Sequence, residues 1–408
     1  MRNEHRKSTK LDGVLYDVRG PVVDEARRMR EAGETIIQLN IGNPAPFGFE
    51  APTLMTDELI RRLPTSHGYS ESHGLVDARE AIQTYALRAG IVGVELDDIY
   101  TGNGVSELIT LCMQALLDTG DEMLIPMPDY PLWTATAKLA GGTPVHYLCD
   151  ETNHWWPDLD DIKRKITPRT VGIVVINPNN PTGAVYPREI LEGIVELARE
   201  HNLIIFADEI YDRMTFDGVE HTYLASLAPD VLCVSFSGLS KTHRVAGYRS
   251  GWMIISGNKA LAGGRRGYIE GINMLSNMRL CANVPGQSVI AIALDGHQSV
   301  DDLIAPGGRI YEQRATMLDI IEGIEGLSVV KPEAALYVFP KLDVARFNIT
   351  DDERFALDLL RAEQVLVVHG RGFNWHRPDH FRIVYLPQEA ELVEVGERLA
   401  RFLSRYRQ

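Results

Sequence analysis

Three features of the chain predict an α/β fold with a mostly parallel central sheet, joined to a smaller α+β unit. Between about residues 100 and 256, short apolar runs alternate with amphipathic stretches. Those runs are β-branched or aromatic and end in Asp, Gly, Pro or Ser, as strands buried on both faces do. After Pro306 the rhythm changes to one long helical stretch followed by shorter strands. Strands alternating with helices imply a parallel sheet covered on both faces, whereas the mixed end implies an α+β unit.

Residues 12–50 hold Gly and Pro clusters (RGP, GNPAPFG) and little regular pattern beyond a helix near 22–32. Next, DEMLIP, TVGIVVINP, NLIIFADE, VLCVSFS and GWMIIS read as buried strands. Between them, 106–117 and 187–201 read as amphipathic helices, the second opened by Pro187, whose fixed φ suits a first turn. GGRIYEQRATMLDIIEGI should be a long helix. VVKP, ALYVFPKLD, VLVVHG and FRIVYL read as strands, interrupted by a helix near 352–363. The expected division is an N-terminal segment with part of the small domain over 1–50, a large domain over 51–305 and a small C-terminal domain over 306–408.

The chain has 408 residues, and 41 Lys+Arg against 56 Asp+Glu give a formal net charge of −15. That balance argues against nucleic-acid binding, which needs a basic face. No apolar run approaches the length of a membrane-spanning helix, and the charged start MRNEHRKSTKLDG lacks the apolar core of a secretory signal. Cys112, Cys149, Cys233 and Cys281 are far apart and form no C-x-x-C, so buried reduced thiols in a cytoplasmic protein are expected, with neither disulfide nor metal.

In an open α/β sheet, chemistry collects at the carboxyl ends of strands. IVVIN ends in Asn177-Pro178-Asn179-Asn180-Pro181-Thr182-Gly183, LIIFAD ends at Asp208 followed by Glu209-Ile210-Tyr211, and CVSFS leads to Gly238-Leu239-Ser240-Lys241, with Arg249 shortly after. Thr101-Gly102-Asn103-Gly104-Val105-Ser106 joins a strand to a helix but lacks the G-K-[ST] of a Walker loop. Each has a plain structural reading: a helix cap for Ser106 or Asp208, a solvated surface lysine for Lys241. Together they describe one ligand. The Val105 and Ser106 amides at a helix N-terminus, with Arg249, suit a phosphate. Asp208 suits a basic ring nitrogen, Tyr211 and Asn180 a ring hydroxyl, Tyr130 a ring face, and Lys241 a carbonyl that forms a Schiff base. A phosphate, a pyridine nitrogen, a phenolic oxygen and an aldehyde describe pyridoxal 5′-phosphate.

GLSKTHRVAGYRSGW resembles the lysine motif of class I aminotransferases, the fold-type I pyridoxal-phosphate enzymes, and NPNNPTG and ADEIY resemble the same family's other signatures in the right order. The resemblance covers almost the whole chain. LNIGNPAPFGFEAP, TGNGVSELI, MPDYPLWTA, LDDIKRKITPRT, MRLCANVPGQ and FNWHRPDHFRIV are similar to bacterial glutamate–pyruvate (alanine) aminotransferases. Two positions depart from the general lysine motif: Arg244 stands where a small or apolar residue is expected, and Ser250 where an apolar one is.

The resemblance implies an aspartate aminotransferase-like fold and ping-pong transamination between alanine/pyruvate and glutamate/2-oxoglutarate, with an aspartate or branched-chain donor as the alternative. It implies that Lys241 bonds the cofactor aldehyde and later moves the substrate Cα proton. Asp208 would pair with the ring nitrogen, Tyr211 and Asn180 with the phenolic oxygen, and Arg249 and Ser106 with the phosphate, to which Ser237 or Ser240 adds a hydroxyl. Tyr69 resembles the tyrosine that reaches a neighbouring subunit's phosphate, which implies a homodimer. Arg382 resembles the arginine that binds the substrate carboxylate, and Gly42 would offer its N–H to the same group because glycine permits close approach. For a second carboxylate the candidates are Arg19, beside Tyr16 in a segment able to act as a lid, and Arg371. The expected partners are amino acids and 2-oxo acids. A regulator that carries this fold behind a DNA-binding domain is disfavoured by the short stretch before the large domain and by the negative charge.

Overall fold

A computed structural model of the protein describes residues 5–14, 20–263 and 267–408. Its centre is an eight-stranded sheet in the order Ile99–Asn103, Ser250–Ser256, Cys233–Gly238, Ile204–Asp208, Thr170–Ile176, Glu122–Met127, Thr143–Asp150 and Trp156–Pro157. Ser250–Ser256 runs antiparallel to both neighbours, and Trp156–Pro157 is antiparallel to Thr143–Asp150; the remaining strands run one way.

The five apolar runs form strands because both faces of this sheet are covered. Successive strand residues point to opposite faces. Accordingly Ile173 and Val175 enter one core with Ile82, Leu191, Ile194 and Trp252, while Val174 and Ile176 enter another with Leu108, Cys112, Trp133 and Ile272. Helices Val105–Leu116 and Tyr268–Met278 cover the second face, and Val76–Arg88 and Arg188–His201 the first. Pro187 stands one position earlier than expected, as the residue before Arg188–His201. Cys112, Cys149 and Cys233 are buried, and no disulfide joins them or Cys281.

A third core gathers Val22, Ala26 and Leu39 from the N-terminal segment with Met317, Phe355, Leu359, Ile383 and Leu399 from the C-terminal one. Helix Pro21–Glu31 starts on its proline, and Asp352–Glu363 is capped by Asp351, whose carboxylate accepts from the Glu353 and Arg354 amides. The backbone crossing between the two termini is direct, since Ile37–Gln38 pairs in parallel with Val365–Leu366.

The strands of this end are shorter than the sequence suggests. VVKP forms none; the nearby strand is Leu327–Ser328. ALYVFPKLD divides into Tyr337–Val338 and Lys341–Leu342 around Pro340, which has no N–H for a ladder. VLVVHG divides into Val365–Leu366 and Val368–His369, which pair with different strands. Tyr337–Val338, Phe381–Val384 and Val368–His369 make a three-stranded antiparallel sheet, with Phe381–Val384 in the middle. No helix among the described residues is long and apolar enough to cross a membrane.

Candidate active site

The carboxyl edge of the large sheet and the three-stranded sheet face each other across a cavity of about 440 Å³. Val105, Ser106, Tyr130, Asn180, Asp208, Tyr211, Ser240, Lys241, Arg249, Gly42 and Arg382 all line it. Most stand just past the carboxyl end of a strand. Arg249 reaches the same edge differently: it precedes the antiparallel strand Ser250–Ser256, which begins where its neighbours end, with Ser250 opposite Asn103.

At one end is an anion cradle. Helix Val105–Leu116 begins after Gly104, at φ +76°, with no side chain capping its first amides. The Arg249 guanidinium lies against that turn, and a Cβ on Gly104 would come within 2.2 Å of its Nη2. Arg249 is fixed there by donating to the carbonyls of Ala246 at 2.8 Å and Asn103 at 3.2 Å. Ser240, in the loop beyond the strand, also lines the cavity, whereas Ser237, buried within the strand opposite Trp252, is not among the lining residues. Of the two serines, Ser240 is the one that lines the cavity.

In the middle, Asp208 is buried. Its Oδ2 accepts from the Trp133 indole N–H at 3.0 Å, but its Oδ1 has no partner. Burial pushes its carboxyl up to about 6, against the opposing pull of Trp133, the Ile210 amide and Lys241. An unpartnered buried carboxylate oxygen facing a cavity is costly unless a cation or donor meets it. Lys241 donates to the Gly42 carbonyl at 2.6 Å. Tyr211 shares a 2.7 Å hydrogen bond with Tyr337, and burial holds its phenol well above the ordinary range.

At the far end, Arg382 is 6% exposed. Its Nη1 donates to Asn180 Oδ1 at 2.9 Å and its Nη2 to the Asn40 carbonyl, while its Nε has no partner. Its guanidinium lies 4.4 Å from the Tyr337 ring centre and 4.6 Å from that of Phe373. No acidic side chain is among these contacts, so the site holds a buried cation ready for a carboxylate.

One expectation changes. Arg371 is taken up by ion pairs with Asp351 and Asp352 and is not among the cavity-lining residues, so it is not the partner of a second carboxylate. His380 is fully buried, hydrogen-bonded to Asp379 at 2.7 Å and stacked on Phe339. Tyr69 is 82% exposed and outside the cavity. Tyr16 and Arg19 lie outside the described residues. No group of His, Cys, Asp and Glu among the described residues is arranged to hold a metal ion.

The sequence profile of the family "Aminotransferase class I and II" matches residues 34–399. The chain belongs to the class I and II aminotransferases. It is 59% identical over 402 residues to the glutamate-pyruvate aminotransferase AlaA of Haemophilus influenzae, covering 98% of this chain and 99% of that one. It is 56% identical over 403 residues to an alanine aminotransferase of Mycobacterium bovis, covering 98% and 93%. The crystal structure of an aminotransferase from Escherichia coli superposes with a TM-score of 0.97 at 58% identity, covering 99% of this chain and 100% of that chain.

Aminotransferases of this family depend on pyridoxal 5′-phosphate. The residues of this aminotransferase fit that group on two independent observations: the unpartnered Asp208 Oδ1 and the uncapped helix start with Arg249 packed against Gly104. Trp133 and Tyr337 complete the site, and neither stands out in the sequence. Both sit in aromatic-apolar runs where a core role is the ordinary reading.

Asp208 links this site to stability. Its folded value lies above its ordinary 3.8, so the folded protein holds the proton more tightly than the unfolded chain. The stability of the cofactor-free enzyme therefore falls as pH rises from about 4 to about 6, then levels off. Asp208→Asn keeps an acceptor for Trp133 and removes the charge. Above pH 6 we expect the cofactor-free variant to be more stable than its parent by on the order of 3 kcal/mol, while transamination collapses. Denaturant melts of both proteins at pH 5 and 7.5 check this; a variant no more stable at pH 7.5 would contradict it.

Proposed function

We propose that this aminotransferase moves an amino group between alanine/pyruvate and glutamate/2-oxoglutarate in two successive half-reactions. The observation that carries this reading is the 59% identity, over nearly the full length of both chains, to a glutamate-pyruvate aminotransferase. The cavity supports it chemically.

When bound, pyridoxal 5′-phosphate supplies an aldehyde that captures the substrate amine and a ring that accepts electrons from Cα. Lys241 would hold that aldehyde between turnovers, with Val105, Ser106, Ser240 and Arg249 on the phosphate and Tyr130 against the ring. Asp208 would keep the ring nitrogen protonated, an ion pair that offsets the cost of its own buried charge. Asn180 and Tyr211 would donate to the phenolic oxygen. Asn180 already accepts from Arg382 through Oδ1, which leaves its amide N–H groups for that task.

Arg382 would fork onto the substrate carboxylate, and the Gly42 amide would add a donor. This fixes Cα beside Lys241. Once displaced and neutral, the Lys241 amine would take the Cα proton and return it one atom further along, as general base and then general acid. Hydrolysis would free the 2-oxo acid and leave the amino group on the cofactor, and a second 2-oxo acid would take that group up by the reverse sequence.

Tyr69 belongs in this reading as a residue that reaches the phosphate site of a second copy in a homodimer. The apolar side chains of Ile60, Leu63, Met274 and Met278, all exposed, support such an interface. Tyr16 and Arg19 remain proposed contacts to the substrate side chain. The buried free thiols support a cytoplasmic location.

The test is a matrix of amino donors against pyruvate and 2-oxoglutarate. Alanine with 2-oxoglutarate, and glutamate with pyruvate, should give the highest kcat/KM. Parallel lines in double-reciprocal plots are expected. A matrix led by aspartate or a branched-chain donor would replace the alanine reading.

A further inference from the structure

Asp129 has no part in the roles assigned above. It is fully buried and is not among the cavity-lining residues. It does, however, stand between two side chains that line the cavity. Asp129 precedes Tyr130, just past the end of strand Glu122–Met127. Its partner Asn374 follows Phe373, the last residue of the turn Gly370–Phe373. The Phe373 ring centre lies 4.6 Å from the Arg382 guanidinium.

A closed set of hydrogen bonds joins these two segments, although Asp129 and Asn374 are 245 positions apart in the chain. The Asp129 amide donates to the Phe373 carbonyl at 3.0 Å. Asp129 Oδ1 accepts from the Asn374 side-chain amide at 2.7 Å, and that amide also donates to Thr134 Oγ1 at 3.3 Å. Thr134, in helix Leu132–Ala140, donates to Asp129 Oδ2 at 2.6 Å, and its Oγ1 lies 2.9 Å from His146 Nε2. The far segment is in turn tied to Arg382 at both ends: Val368 pairs with Arg382 in the three-stranded sheet, and Phe373 packs on its guanidinium. Burial pushes the Asp129 carboxyl up to about 7, against the pull of Asn374 and Thr134. Packing alone does not call for an acid here, since an apolar residue would fill the site without burying a polar group. What the carboxylate adds is two acceptor oxygens aimed at two segments.

We propose that Asp129 is a positioning residue: it clamps the turn that carries Phe373 to the strand end that carries Tyr130, so that the wall against Arg382 and the wall proposed for the cofactor ring are set as one unit. Asp129 touches no reacting atom and acts through Phe373, which packs on the guanidinium. The clamp uses the shape of the carboxylate rather than its charge. This rests on Arg382 as the site of the substrate carboxylate.

Three variants test it. Asp129→Ala removes both acceptors. Asn374→Gly opens the clamp from the other side, and glycine tolerates the φ of +57° found there. Asp129→Asn keeps the clamp: its oxygen accepts from Asn374, and its amide donates to Thr134, whose hydroxyl is then free to donate to His146. In cofactor-free protein, phenylglyoxal labels arginines, and the rate at Arg382 is read by mass spectrometry against Arg314, which is buried in the small domain. With Phe373 released, Arg382 should label several-fold faster in Asp129→Ala and Asn374→Gly while Arg314 does not change. In the loaded enzyme, KM for alanine and glutamate should rise together by about ten-fold, with kcat within about three-fold. The double variant Asp129→Ala/Asn374→Gly should be no worse than the poorer single one, because both remove the same clamp. Asp129→Asn should return labelling and KM to within about two-fold of the parent.

Unchanged Arg382 labelling in Asn374→Gly, or labelling that rises equally at Arg314, overturns the proposal, since a role in general stability would not single out one arginine. Asp129→Asn behaving like Asp129→Ala overturns it as well, because charge rather than the clamp would then be what matters. Faster labelling of Arg382 with KM unchanged for both donors removes Arg382 from the carboxylate site and takes this proposal with it. Unchanged labelling alongside the expected KM rise in Arg382→Lys overturns Asp129 alone.

Discussion

Lys241→Ala abolishes transamination. The expected loss is about four orders of magnitude or more in kcat, since on the proposed reading one residue supplies both the covalent hold on the aldehyde and the proton transfer at Cα. Folding should be little affected. Lys241 is partly buried and makes one hydrogen bond to protein, to the Gly42 carbonyl. No carboxylate depends on it for a direct ion pair. The cofactor should still bind, through Asp208 and the phosphate cradle, but without a borohydride-stable bond. Single-turnover assays with alanine, combined with melting temperature, check both halves. A variant that retained a tenth of the parent's rate would place the proton transfer on another residue.

Arg382→Lys has the second-largest expected effect. It keeps the charge and loses the fork. Arginine serves two directions at once here, Asn180 and the Asn40 carbonyl, and its Nε is left without a partner. An ammonium cannot hold that geometry or lie flat between the Tyr337 and Phe373 rings. KM for alanine and glutamate should rise together by about 100-fold, with a smaller fall in kcat. Both substrates should suffer equally, because the α-carboxylate is common to them. Arg382→Leu should be worse, since it leaves the Asn180 and Asn40 oxygens buried without a donor. Initial-rate kinetics with both donors decide this; a variant impaired for glutamate alone would move Arg382 to the side-chain carboxylate.

The parts of the fold legible in the sequence are those where one local pattern suffices. TVGIVVINP can only be a strand buried on both faces, and Asp352–Glu363 carries its own cap and stripe. The helix Glu389–Arg405 has an equally clear stripe in Leu392, Val395, Leu399, Phe402 and Leu403. The two-residue strands of the smaller sheet are not legible, because their ladders are decided by partners far away, such as Tyr337 with Val384. The antiparallel course of Ser250–Ser256 is likewise a property of its neighbours.

The site divides the same way. Lys241, Asp208, Asn180 and Arg249 carry charge or amide groups at strand ends, where an apolar run makes them conspicuous. Trp133 and Tyr337 hide among aromatic neighbours, and their roles exist only through contacts with Asp208 and Tyr211 across long stretches of chain. The choice between Ser237 and Ser240 needed the strand's end to be located: Ser237 is inside it and Ser240 beyond. The net charge of −15 is also clearer against this geometry. The overall field opposes carboxylate substrates, so the proposed capture has to come from local cations, chiefly Arg382 and Arg249.

The most direct test of the account is a half-reaction. The cofactor-loaded enzyme is mixed with L-alanine and no 2-oxo acid, and pyruvate is counted against active sites. One equivalent of pyruvate per site is expected, then one equivalent of glutamate when 2-oxoglutarate is added, with neither formed by Lys241→Ala. Continuous pyruvate formation without an acceptor, or a Lys241→Ala protein that completes the first half-reaction at the parent's rate, would contradict it.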